Sequence, residues 1–143
     1  MYTSVTSKYH RSRHLRRTVI TYLIVSVLCV VIDKIYALFG HGVYSASMSL
    51  MFLYPLLGGV LPFFTVWLLL RQTEGMPYYR LIYNCYNSGL ATLTIGSLLN
   101  GVFEIAGTSS PYMIVFYVCG WTMLAAGALG FLASLFTPRR QKP

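Results

Sequence analysis

Residues 29–40 read CVVIDKIYALFG and place Asp33 beside Lys34 inside a stretch otherwise built for an apolar medium. Ionisable groups in such stretches are costly and often mark a site for an ion, a proton or a ligand, so they are the first residues to weigh for chemistry. Only three acidic residues occur in the chain, and a second of them, Glu104, also falls in an apolar run. Asn100 lies one helical turn before Glu104 on the same face, with Ser97 three residues before Asn100. The long stem of Lys34 can snorkel outward to the level of Glu104, which makes a Lys34 to Glu104 ion pair the expected contact. Asp33, about 100° round the helix from Lys34, then needs Asn100 or a hydroxyl as its partner.

Two readings of Asp33, Lys34, Ser97, Asn100 and Glu104 stay open. In one the cluster is a ligand or ion site. In the other these groups satisfy each other near the membrane surface and fix which helices pair, since a shallow position and snorkelling relieve much of their cost.

Other chemistries find little support. Cys29, Cys85 and Cys119 are far apart, with no C-x-x-C pair and no metal-ligand spacing, so no metal site is expected. His10 and His14 have the i, i+4 spacing of a ligand pair, but they sit among arginines that repel a cation. No two histidines fall in apolar runs to hold a haem, and no phosphate-cradling glycine loop occurs. The cofactor, if one exists, is left unknown by these residues.

The elements that must carry this cluster follow from composition. Hydrophobic residues make up 56% of the 143 and charged ones 10%, with mean hydropathy +0.61, where a soluble domain carries about 25% charged residues. The apolar residues gather in four runs near Thr18–Phe39, Ser47–Leu70, Leu81–Ile105 and Tyr112–Phe136, each long enough for the roughly 20 residues a crossing requires. The expected class is all-α: a polytopic membrane protein whose four transmembrane helices form two antiparallel hairpins. The first run follows the basic stretch KYHRSRHLRR, yet it is too long for a signal peptide and lacks a small-residue cleavage site, so it reads as a retained helix. Asp33 lies roughly 9 Å inside the end of that helix, at 1.5 Å per residue.

Charge sets the orientation. Ten of the eleven Lys and Arg fall in residues 1–17, between the second and third runs, or after the fourth, leaving Lys34 alone on the other side. Both termini are therefore expected in the cytoplasm, with residues 1–17 a basic segment, 18–137 the four-helix transmembrane domain and 138–143 a basic tail. The same bias disfavours the dual topology of small multidrug transporters. A net charge of +8 is accounted for by topology and by attraction to anionic lipid at the N-terminus, so no nucleic-acid partner is expected.

The two hairpins also align. DKIYALFGHGVYS lies over NGVFEIAGTSSPYM at an offset of 67 residues, pairing Asp33 with Asn100, Gly40 with Gly107 and, past one added residue, Gly58-Gly59 with Ala126-Gly127. This is the pattern of a parallel internal repeat, although membrane composition alone also generates matches.

Small residues predict where helices meet. Gly120, Gly127 and Ser134 recur every seven residues with Gly130 beside them, and Gly89 and Gly96 repeat the spacing on the third helix. These stripes are expected to face each other, with a homodimer face as the competing use. Pro55 and Pro62 flank Gly58-Gly59, so a kink is expected in the second helix. The third helix is the most polar, with Asn84, Asn87, Ser88 and Thr92 broadly on one face, and is the expected wall of anything that binds or passes. Tyrosines and tryptophans near the run ends read as an interfacial belt.

Three functions fit these residues. The first is an accessory or scaffolding subunit of a membrane complex, with a protein partner or a homo-oligomer; under every reading the expected location is the plasma membrane. The second is a small oligomeric transporter or channel built on the polar cluster of the outer leaflet. The third is a membrane redox component holding a hydrophobic cofactor.

Overall fold

The computed structural model describes residues 3–40, 43–64 and 79–136, with side chains described over 16–40, 43–64 and 80–133. The elements are α1 (Thr3–Phe39), α2 (Ala46–Leu50), a π-helical segment (Tyr54–Val60), α3 (Tyr79–Ile105) and α4 (Met113–Phe136), with no strand among the described residues. Four helical stretches, Arg16–Phe39, Ala46–Phe64, Arg80–Ile105 and Met113–Ala133, are long and apolar enough to cross a membrane. The chain divides into two compact units, residues 1–71 and 72–143, each taken by itself below.

In the first unit the span Arg16–Phe39 matches the run expected near Thr18–Phe39, and α1 extends beyond it back to Thr3. The reason is local: no Gly or Pro occurs before Gly40, and Lys and Arg are good helix formers, so nothing stops the helix from running back through the basic segment. It ends at Gly40, whose N–H still donates to Tyr36 O at 2.8 Å. Ser45 then caps α2, its extended backbone letting Oγ accept from Met48 N at 3.1 Å.

The second span differs from the single kinked helix expected between Ser47 and Leu70. Pro55 has no N–H to donate into an α-helical bond. The backbone tightens ahead of it, with i to i−3 bonds from Met51 N to Met48 O (3.2 Å) and from Tyr54 N to Met51 O (3.3 Å). It then widens into the π-helix, whose last bond runs from Leu61 N to Leu56 O. An overwound turn followed by an underwound one keeps the segment advancing rather than breaking it. Helical backbone continues past Pro62 to Phe64; the expected stretch to Leu70 lies outside the described residues.

Gly59 is buried in this wide turn, and a Cβ there would clash with the ring of Tyr22. That ring stacks on Phe63 with centroids 5.8 Å apart and planes 13° from parallel. Position 22 thus faces 59 and 63, while position 33 faces 49, so the two segments run antiparallel.

In the second unit α3 and α4 are also antiparallel: Gly130 meets Ile82, Gly127 meets Tyr86, Gly120 meets Leu93 and Gly96 meets Phe116. The approach is closest at Gly89, where a Cβ would come within 2.6 Å of Leu124 N and 2.9 Å of Gly120 O. Without attraction between apolar helices beyond packing, backbone proximity of this kind is what holds such a pair in lipid. The side chain of Ser134, the last residue of the expected stripe, lies outside the described set. The π-helix of the second span has no counterpart in α4, which is α-helical throughout Met113–Phe136.

α3 ends in a Schellman turn. Thr108 N donates to Phe103 O at 2.9 Å and Gly107 N to Glu104 O at 3.1 Å, with Gly107 at φ 69°. Nothing lies within 4 Å of a Cβ at this position, so Gly107→Ala meets backbone strain alone. The expected loss is about 1 kcal/mol, measured as a shift in the thermal or denaturant midpoint in detergent. An unchanged midpoint would show that the turn does not contribute to stability.

Candidate functional site

The polar groups of the spans are reached through this backbone. Asp33 sits on the face of α1 that meets α2, and its side chain is only 14% exposed. Ser49 Oγ donates to Asp33 Oδ1 at 2.9 Å. Lys34 Nζ lies 3.3 Å from Asp33 Oδ2, with 73% of the Lys34 side chain exposed. The carboxylate therefore takes a hydroxyl on one oxygen and an ammonium on the other, a charge-assisted arrangement stronger than a neutral bond.

Within the first unit Lys34 forms an ion pair with its own neighbour Asp33, because its four-carbon stem spans the 100° between adjacent positions. The hydroxyl partner of Asp33 is Ser49, a residue the sequence reading passed over. Depth alone does not single it out, since Asp33 is six residues before Phe39 and Ser49 three after Ala46; the register of α1 against α2 brings them together.

On α3, Asn100 Nδ2 donates to Glu104 Oε1 at 2.8 Å, along one helical face. Glu104 is exposed, while Ser97 is 2% exposed and part of the packed side of α3. The five expected site residues are thus found as a set in the first unit, Asp33 and Lys34 with Ser49, and a set in the second, Asn100 and Glu104 with Ser97 one turn below.

Nearer the other end of α3, Thr92 and Thr94 donate to Ser88 O and Leu90 O at 2.8 Å, and on α4 Thr122 donates to Val118 O at 2.8 Å. Hydroxyls bonded back to their own helix present methyl groups outward, which suits a lipid or protein surround. Asn84 and Ser88 are exposed. No group of three His, Cys, Asp or Glu that could hold a metal occurs among the described residues. Cys29 is buried, Cys85 half-buried and Cys119 exposed.

No family model matches this chain, and neither curated proteins nor solved structures give a match.

The Asp33 contacts predict a graded response. Asp33→Asn keeps an oxygen that can accept from Ser49 and removes only the charge, whereas Asp33→Leu also leaves the Ser49 hydroxyl without its acceptor. A hydrogen bond to a charged group contributes about 1.5–3 kcal/mol, so the Leu variant is expected to unfold at clearly lower denaturant than the Asn variant. Equal midpoints for the two would show that Ser49 does not depend on Asp33.

Proposed function

We propose that this protein is an accessory or scaffolding subunit of a membrane complex, an integral protein of the plasma membrane with both termini in the cytoplasm. The observation that carries this reading is the Asp33 carboxylate, occupied by Ser49 on one oxygen and Lys34 on the other. A carboxylate already bonded at both oxygens serves to join α1 to α2 more readily than to bind and release a solute. Asn100 donates to one oxygen of Glu104 within α3, so this second carboxylate also has a partner on its own helix.

Such a subunit would meet its partner away from its glycines. Gly89, Gly96, Gly120, Gly127 and Gly130 are spent on the contact between α3 and α4. A partner must then use the broad apolar faces that stay exposed, such as Ile24, Val27, Leu28 and Val31 on α1 or Val118, Trp121 and Leu129 on α4. At the cytoplasmic end Arg16 and Arg17 begin the first span, where anionic headgroups contribute about 1 kcal/mol per basic residue.

A second reading, a small oligomeric transporter or channel, draws on the π-helix between Pro55 and Pro62, since π turns recur at functional sites. Flux measurements separate the two. The purified full chain in proteoliposomes is expected to pass protons and common monovalent ions no faster than protein-free vesicles. A flux that depends on pH or ion identity, and that Glu104→Gln abolishes, would overturn the subunit reading in favour of transport.

A further inference from the structure

α3 has a second seam. Leu81, Asn84, Ser88, Ala91 and Ile95 are all exposed, on the side away from the glycines that meet α4. Their spacing alternates three and four residues, the 3.5-residue repeat along which two helices pack side by side. Ser88 and Ala91 are small enough to let a second backbone approach.

The chemistry of the seam selects its occupant. Thr21, Thr92, Thr94 and Thr122 satisfy their hydroxyls on their own helices: Thr21 bonds Arg17 O at 2.9 Å, Thr92 bonds Ser88 O, Thr94 bonds Leu90 O and Thr122 bonds Val118 O. Asn84 instead presents an amide with two donors and an acceptor about one turn inside the span that begins at Arg80. Copies inserted under one charge bias all run the same way, so two of them are related by a twofold axis along the membrane normal. Across such an axis each seam residue faces its own counterpart. An amide is complementary to itself, donor to acceptor in both directions, and a single Asn in a 3.5-residue seam fixes register and partner number.

We propose that α3 pairs with α3 of a second copy of this chain through Leu81, Asn84, Ser88, Ala91 and Ile95, with the two Asn84 amides bonded across the axis. The pairing is independent of the accessory role: a dimer can serve a complex, a transporter or neither.

Single cysteines placed at positions 81 to 95, in the full chain with Cys29, Cys85 and Cys119 changed to Ala, test it in liposomes at low protein-to-lipid ratio under mild oxidation. With Gly89 left unchanged, cross-linked dimer is expected to peak at 84, 88, 91 and 95 and to be absent at 86 and 93. Asn84→Leu is expected to weaken dimerisation about 3- to 30-fold, the worth of an interhelical polar bond, and Asn84→Gln to retain most of it. Cross-links without this period, cross-links on the glycine side, a monomer at every concentration, or an Asn84→Leu dimer as tight as wild type would each overturn the proposal.

Discussion

Gly89→Val is expected to separate α3 from α4. A Cβ at 89 meets Leu124 N at 2.6 Å, Gly120 O at 2.9 Å and Leu124 Cα at 3.0 Å, all backbone atoms that cannot rotate aside. Overpacking a well-filled contact costs about 1–3 kcal/mol when side chains can adjust. Here the helix axes must move apart, which also loosens the neighbouring contacts of Leu93 with Gly120 and Tyr86 with Gly127. The upper end of that range is therefore the minimum expected. Unfolding in mixed detergent reads it out, with Ala125→Val on the exposed side of α4 as the matched control. If both variants unfold at the wild-type midpoint, the close approach at Gly89 is not what holds this pair.

Gly59→Ala is the counterpart in the first unit and acts through a side chain. The added methyl takes the place of the Tyr22 ring, which must leave its stack on Phe63. The expected loss is about 2 kcal/mol, from overpacking and from a stacked pair worth about 0.5–1.5 kcal/mol. The mechanism makes a sharper demand on the double variant. Tyr22→Ala removes the obstacle, so adding Gly59→Ala to it is expected to cost almost nothing, giving strong non-additivity in a double-mutant cycle. Additive losses would show that Tyr22 and Gly59 are not in contact.

Much of this architecture could be read from residue order because bilayer physics leaves few alternatives. Four apolar runs of sufficient length appear as four span-length helices, with ends close to those expected at Phe39, Ile105 and Phe136. Sequence pattern was a poor guide where hydrogen-bond geometry decided. Pro55 and the two glycines predict a kink, but the choice of a tight turn followed by a π turn depends on which carbonyls the remaining N–H groups can reach and on the Tyr22 ring filling the space above Gly59.

The candidate site divides in the same way. Asp33, Lys34, Asn100 and Glu104 stand out by charge or polarity in an apolar setting. Ser49 does not stand out, since one serine among the many near a span end carries no signal until the register of α1 against α2 is known. Lys34 shows the limit of reasoning by rotation about a helix: a flexible stem reaches its neighbour across an angle that separates the two Cβ atoms. The seam on α3 was visible only in part, as four polar residues broadly on one face; exposure singles out Asn84 and Ser88 and aligns them with Leu81, Ala91 and Ile95.

The central claim is that the polar groups inside the spans hold this protein together and that its function lies in what its outer faces hold. Native mass spectrometry of the tagged full chain, released gently from its own membrane and recorded with its absorption spectrum, tests that claim most directly. A second membrane protein at fixed stoichiometry, with no small ligand and no visible absorption, is the predicted result. A chain found only alone or with copies of itself and retaining a small molecule or a chromophore would contradict it and return Asp33 and Glu104 to the role of a binding site.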